Sequence, residues 1–252
     1  MSRLVAAELL KLRTTRVVPA LVAVSVALSA LMAALIVLLS STSDISGTTG
    51  GRLVLSSGGI AAGILALLLG IVTTAGEYRH GTILPTLLTT PDRRRVTIAQ
   101  IAANTVAGAV TGIASVAATL AVSLPLLALR DVDMSLSAAR VAGIAVGGVT
   151  FAALSGMLGA AFGALVRNQV AAVSAALLVL FVIEPVVTSL VDGYQRYSLT
   201  GLRVAISGGA AESAGTATGG LPPAWLAALL WTGYALALAS VATAVARRRD
   251  IP

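Results

Sequence analysis

Cysteine is absent from the chain, and lysine and histidine occur once each, as Lys11 and His80. Without thiolates, disulfides, cysteine-ligated zinc and iron–sulfur clusters are excluded. A P-loop needs a lysine followed by Ser or Thr, whereas Lys11 is followed by Leu12. A single histidine also leaves no H-E-x-x-H metal site and no His–Cys nucleophile pair. We therefore expect no enzymatic site of its own on this chain, and no cofactor or metal.

Charge is scarce as well, and apolar residues dominate. Charged residues make up 11% and hydrophobic residues 57% of the 252 residues, whereas roughly a quarter of an ordinary soluble domain is charged. Apolar runs of about twenty residues recur, which is the length that crosses a hydrocarbon core of roughly 30 Å. The runs are continuous rather than alternating, which favours helices over a closed barrel. These features predict an all-α, polytopic membrane protein.

The apolar runs predict six transmembrane helices in a single transmembrane domain, residues 1–252. The predicted spans are residues 17–39, 53–76, 96–129, 141–166, 170–191 and 224–246. Residues 1–16 have apolar side chains at helical spacing and predict an interfacial helix, with a solvated basic leader as the alternative. The polar, Gly-rich residues 192–223 predict an outer loop, within which residues 198–207 are apolar enough to dip into the outer leaflet.

The third run is too long for a simple crossing. Its 34 residues would measure roughly 51 Å as one helix, so part of it should leave the bilayer. Gln100 and Asn104 near its first end suggest that the extension is cytoplasmic. Pro125 is expected to kink the other end.

The basic residues indicate the orientation. With the N-terminus inside, twelve basic residues lie in inner segments and five in outer ones, which is the usual cytoplasmic bias. The inner set is Arg3, Lys11, Arg13, Arg16, Arg79, Arg93, Arg94, Arg95, Arg167, Arg247, Arg248 and Arg249, and the outer set is Arg52, Arg130, Arg140, Arg196 and Arg203. We expect both termini in the cytoplasm, a multi-pass location in the cell membrane, and no nucleic-acid partner for the net charge of +7.

Two features within the spans are candidates for function or packing. Glu184, followed by Pro185, is an ionisable group inside the fifth span, and such groups serve substrate or proton paths or are satisfied by a local partner, here hydration or Arg196. The proline should bend this helix. Gly156, Gly159 and Gly163 in the fourth span allow close helix approach, within the subunit or at a dimer seam.

The polar stretch GEYRHGTILPTLLTTPDRRR, residues 76–95, stands between the second and third spans. Glu77, Gly81-Thr82, a Leu-rich segment, Thr90-Pro91 and Arg94 follow the order E-x-x-x-G-T…L-L-x-T-P-x-x-R. This pattern resembles the signature of the membrane subunits of type-2 ATP-binding-cassette (ABC) transporters. The leader, with Glu8 and Lys11 as Glu-x-x-Lys, is similar to theirs. One departure is Gln100, where the family often has lysine.

The resemblance implies a permease subunit of an ABC exporter that moves a small-molecule, peptide or lipid-like cargo. Residues 76–95 would then form the cytoplasmic coupling segment, which docks on a separate ABC ATPase subunit carrying ATP and Mg. The residues it implies for coupling are Glu77, Arg79, His80, Gly81, Thr82, Pro91 and Arg94. A homodimer or pseudo-dimer of permease subunits in membrane lipid is the implied assembly.

Two other functions fit the same sequence. A proton-coupled secondary transporter or channel would use Glu184 as its proton site, although only one acid is clearly intramembrane and inverted halves are not evident. A membrane anchor or immunity protein would bind a partner without transporting anything. If residues 76–95 do not dock a partner, Arg93–Arg95 only fix the membrane topology, and Glu77 only pairs with Arg79 or His80.

Overall fold

A computed structural model describes residues 2–79, 92–191, 193–208 and 220–248, and these residues are helical with short connections. The helices are α1 (Ser2–Thr14), α2 (Val17–Leu39), α3 (Thr42–Ile45), α4 (Gly47–Arg79), α5 (Arg93–Leu129), α6 (Ala138–Val166), α7 (Gln169–Leu178), a π-helical turn (Val179–Ile183), α8 (Glu184–Leu190), a 3₁₀ turn (Tyr194–Arg196), α9 (Leu199–Ser207) and α10 (Ala224–Arg248). Six helical segments in this part of the chain are long and apolar enough to cross a membrane. The chain is thus all-helical, with the composition of a multi-pass membrane protein.

The predicted spans agree with these segments in number and order, while their ends differ. The first span matches α2 residue for residue. The second is longer than predicted, because α4 already begins at Gly47 and continues to Arg79. The helix α5 begins three residues before the predicted third span and continues through Pro125 as one 37-residue element.

Helix α4 lies at the centre of the bundle. In the most apolar 18-residue window of each span, 72% of α4 is buried, against 22% of α2 and 17% of the segment Gln169–Leu190. It packs against α2, α5, α6 and α7. Because its neighbours surround it, α4 is rich in glycine, alanine and serine rather than in large lipid-facing side chains.

Small residues bring α4, α5 and α6 into backbone contact. A Cβ at Gly159 would meet the carbonyl oxygen of Leu67 in α4, and a Cβ at Gly163 would lie 3.0 Å from the oxygen of Ile71. A Cβ at Gly156 would instead meet the carbonyl oxygen of Asn104 in α5. All three glycines that the sequence singled out therefore face neighbouring helices of the same chain.

The fifth span is interrupted just before Pro185. The chain passes from α7 through the π-helical turn Val179–Ile183 into α8, where Pro185 occupies the first turn. Proline has no N–H and its ring clashes with the carbonyl four residues earlier, here that of Phe181. A single wider turn accommodates the proline without breaking the span. Where the sequence predicted a bend at Pro185, the structure has a π-helical turn just before it.

At the end of the bundle opposite Glu77, an arginine ties two helices together. The Arg130 guanidinium, just after α5, donates hydrogen bonds to the carbonyl oxygens of Val37 and Ser40, the latter at 3.0 Å. These acceptors belong to the last turn of α2 and its cap, which have no helical partners of their own. Arg130, which the sequence placed only in the outer charge count, thus caps a helix.

The segment predicted as an outer loop contains a packed helix. Within residues 198–207, α9 begins after Ser198, whose hydroxyl accepts a hydrogen bond from the Gly201 N–H at 2.9 Å. Leu202 and Ile206 on α9 are buried against α6 and α10. This helix belongs to the protein core, whereas the sequence suggested a segment dipping into lipid; residues 209–219 lie outside the described part.

Candidate functional site

Polar side chains from three helices meet at the Glu77 end of the bundle. The Lys11 ammonium on α1 lies 2.7 Å from Glu8 Oε1 and 3.2 Å from Glu77 Oε1 at the end of α4. The other carboxylate oxygen of Glu77 accepts a hydrogen bond from Gln100 Nε2 on α5 at 2.8 Å. Glu77 therefore joins the leader helix to the helices on both sides of residues 80–91.

The polar contacts continue one turn deeper into the bundle. Asn104 Nδ2 donates to the backbone oxygen of Gln100 at 2.9 Å, and its side-chain oxygen accepts from Thr73 Oγ1 at 2.8 Å. Glu77 and Thr73 are one helical turn apart on α4, as are Gln100 and Asn104 on α5. The two long helices are thus bonded at two successive levels. We call Glu8, Lys11, Thr73, Glu77, Gln100 and Asn104 the polar junction.

Burial and pairing explain why the charges of the polar junction are kept. The side chains of Glu8 and Glu77 are 5% and 14% exposed, so an unpaired carboxylate at either position would be costly. Burial by itself would lower the pKa of the Lys11 ammonium, but the hydrogen bond to Glu8 and the charges of Glu77 and Glu8 outweigh it, and the pKa lies above its ordinary value. Lys11 is therefore fully charged at neutral pH.

A cavity of about 490 Å³ lies beside the polar junction and is lined by all six of its residues, together with Gln169 at the start of α7. The amide oxygen of Gln169 comes within 3.7 Å of the position that a Cβ on Gly76 would take. A larger residue than glycine at position 76 would narrow this space.

The basic residues around the polar junction differ in their surroundings. Arg79 ends α4 and is exposed, as is Arg94 in the first turn of α5. Asp92 caps α5 by accepting hydrogen bonds from the N–H groups of Arg94 and Arg95, at 3.0 and 3.3 Å. The Arg167 guanidinium carbon, after α6, lies 5.2 Å from the centre of the Tyr78 ring.

Of the residues that the resemblance implies for coupling, the structure describes Glu77, Arg79 and Arg94. His80, Gly81, Thr82 and Pro91 lie outside the described residues. The expected alternative, an ion pair between Glu77 and Arg79, is not found in the described ranges, where Glu77 pairs with Lys11. The partner of Glu77 on α5 is Gln100, the position where the sequence departs from the pattern that it resembles, and its side-chain amide donates to the Glu77 carboxylate.

Sequence reasoning did not connect Lys11 with Glu77, because 66 residues separate them. Thr73 and Asn104 were visible only as polar residues inside apolar runs. A useful signal was present in the leader, since an acid and a base three residues apart share one helix face and can present a charged pair to a neighbour. That signal does not identify which helix the pair contacts.

Glu184 occupies a separate site near the other end of the bundle. It is 3% exposed, and its carboxylate accepts hydrogen bonds from the N–H groups of Leu199 and Thr200 and from the Thr200 hydroxyl, at 2.6, 2.7 and 2.7 Å. The N-terminus of α9 thus receives a carboxylate from α8, which also complements the helix dipole. The carboxylate is thus buried against α9, and the pairing with Arg196, which the sequence offered as one alternative, is not found among the described residues.

The polar junction links three helices through ion pairs and hydrogen bonds. One ammonium lies between two carboxylates, and the Gln100 and Asn104 amides and the Thr73 hydroxyl take part in hydrogen bonds between helices. No group of three or more His, Cys, Asp or Glu side chains that could hold a metal occurs in the described ranges. Comparison with family models gives no match, and no curated protein matches the chain.

Proposed function

We propose that this chain is the permease subunit of an ABC exporter, whose transport is driven by ATP hydrolysis on a separate subunit. The cargo would be a small molecule, a peptide or a lipid-like compound. The observation that carries the proposal is the polar junction, which connects both helices flanking residues 80–91 to each other and to the leader helix. A partner that pushes on this segment would act on two long helices at once.

Rigidity at this point is what mechanical coupling requires. Movement of a docked ATPase can displace the spans only if the receiving segment is firmly joined to them. The Gln100–Glu77 and Thr73–Asn104 hydrogen bonds, at 2.8 Å each, join α4 and α5 at two levels. Lys11 adds the leader helix to the same unit, so the three helices would move together.

Exposed charge next to the polar junction supports a protein partner on this side. Arg79 and Arg94 are both exposed, and in the described part of the chain neither forms an ion pair within the subunit. Such charges contribute mainly to the association rate and to the choice of partner. They would face acidic side chains on the ATPase subunit.

The test is copurification with an ATPase from the native membrane, in a mild detergent. The expected result is a P-loop ATPase in a defined ratio to the chain, with ATP hydrolysis in the eluate. Arg94→Glu should reduce the bound ATPase about tenfold, since the charge offered to an acidic partner surface would be reversed. Arg140→Glu is the matched control, because Arg140 is also exposed in the first turn of a long helix, at the opposite end.

Two results would overturn the proposal. One is the absence of any P-loop ATPase from the purified complex, even after cross-linking in the membrane. The other is cargo movement by the purified chain alone in vesicles that contain no ATP. Equal ATPase binding by the Arg94→Glu and Arg140→Glu variants would remove Arg94 from the docking surface but would leave the permease assignment standing.

A further inference from the structure

A second cavity, of about 200 Å³, lies near the Glu184 end of the bundle, between α4, α6, α9, α10 and the π-helical turn. Its walls are mainly aliphatic and aromatic. They include Leu67, Phe151, Leu158, Phe162, Trp231 and Leu238. The space exceeds the roughly 150 Å³ of apolar cavities that hold a benzene molecule. It is large enough to receive part of an acyl chain.

Three polar side chains line this apolar space, and two of them have a buried atom without a partner in the described ranges, whereas the Thr200 hydroxyl donates to Glu184. Ser155 is 1% exposed, and its hydroxyl has no hydrogen-bond partner among the described residues. The Arg203 Nε on α9 is likewise buried and without a partner in those ranges. The Trp231 N–H is not available, because it donates to the Leu154 oxygen at 3.2 Å. Buried donors without acceptors are costly, and a ligand oxygen would satisfy them.

The nearest acid does not satisfy Arg203. Glu184 directs both carboxylate oxygens to the N-terminus of α9, and no ion pair joins it to Arg203 in the described part of the chain. Burial lowers the pKa of the Arg203 guanidinium, and the charge of Glu184 partly opposes this effect. Guanidinium stays protonated in proteins, so the positive charge of the partly buried Arg203, with its Nε fully buried, borders the cavity.

The π-helical turn forms one side of the cavity and also an outer surface. Val179, Leu180 and Phe181 line the cavity, while Phe181 and Val182 are 61% and 51% exposed. In a membrane this exposed surface faces acyl chains. A π-helical turn inside an α-helix is frequent at functional sites. A chain could thus enter sideways, between the turn and α10.

We propose that this cavity binds an acyl chain with an acidic head group, whose oxygens accept hydrogen bonds from Arg203 and Ser155. The chain would lie against Phe151, Leu158 and Trp231. A free fatty acid and an anionic phospholipid both offer this chemistry. Binding here requires no ATPase partner, so the site is independent of the proposed permease function.

Trp231 provides a direct readout, because it lines the cavity and the chain contains two tryptophans. The other, Trp225, is 65% exposed and is replaced in a Trp225→Phe background. The purified full chain in a nonionic detergent is titrated with dibromostearic acid, and quenching of Trp231 is recorded. Dibrominated octadecanol is the neutral control. A dibrominated phosphatidylglycerol forms a second arm that separates phospholipid from free fatty acid.

Saturable quenching by the acid or by the anionic phospholipid, and not by the alcohol, is the expected result. Arg203→Gln should raise the half-quenching concentration about tenfold, because a charge-assisted hydrogen bond is lost. Arg140→Gln, which changes an exposed arginine away from the cavity, should leave it unchanged. Ala176→Leu should weaken quenching by filling the cavity, which Ala176 lines.

Equal quenching by acid and alcohol would overturn the proposal, since it would mean partition into an apolar space without head-group recognition. Identical titrations for Arg203→Gln and the Arg203 parent would also overturn it. Thermal unfolding of each variant checks the fold, and Arg203→Lys keeps a positive charge if the glutamine variant is unstable. Unchanged affinity of the Arg203→Lys variant for the acid supports recognition of the head-group charge. If none of the brominated ligands quenches Trp231 fluorescence, the cavity does not bind an acyl chain.

Discussion

Lys11 shows how one residue can determine the arrangement of three helices. Its ammonium stands between Glu8 on its own helix and Glu77 on α4, and Glu77 in turn accepts from Gln100 on α5. Each contact alone is an ordinary ion pair or hydrogen bond. Together they place one cation between two buried carboxylates and a neutral amide donor on the second of them, which lowers the cost of keeping this charge inside the protein.

Replacing Lys11 with methionine should destabilise the protein by about 1–3 kcal/mol, because Glu8 and Glu77 would then face each other without a cation. Thermal unfolding in nonionic detergent measures this effect. Arg13→Met is the control, since Arg13 is exposed on the same helix. Equal losses in the two variants would contradict a special role for the Lys11 ammonium.

Glu184→Gln should destabilise the protein by about 1–2 kcal/mol, since a neutral amide accepts weaker hydrogen bonds from the α9 N-terminus than a carboxylate does. Unfolding temperature is again the measurement, with Asp131→Asn as an exposed control. A Glu184→Gln protein of unchanged stability, whose transport had lost its pH dependence, would instead favour the proton-carrier alternative.

At the scale of helices, the spans were predictable and the short outer helix was not. The length of an apolar run is a property of the local sequence, so α2 could be located to the residue. Burial of α9 depends on a carboxylate 15 residues away along the chain and on packing against α6 and α10, neither of which has a local signature. The extension of α4 to Gly47 was hidden by its glycines and threonines, which are poor signals for a helix.

Gly159 gives the sharpest test of the packing between α4 and α6. Gly159→Ala should cost about 1–3 kcal/mol, because the added methyl group would meet the Leu67 carbonyl. Gly143→Ala on the same helix meets nothing within 4 Å and should instead be neutral or stabilising by up to about 1 kcal/mol. Unfolding measurements on both variants decide the point, and a similar response at the two positions would argue against the close approach.

For the whole molecule, the natural absence of cysteine makes the orientation directly measurable. Single cysteines at Arg13, Ser43, Arg94 and Arg140 would all lie at exposed positions. An impermeant maleimide added to intact cells should label the Ser43 and Arg140 variants and spare the Arg13 and Arg94 variants. Labelling of the Arg94 variant from outside would place residues 80–91 away from ATP and would contradict the permease proposal.

The central position of α4 has a consequence for how the protein is made. Its small-residue surface is covered largely by α6, which the ribosome completes only after α5 and a further connection. Until α6 is inserted, the glycine-rich surface of α4 that packs against α6 remains without its protein neighbour. Nascent chains that stop before residue 138 should therefore be preferred substrates of membrane quality control, whereas chains that extend past residue 166 should escape it.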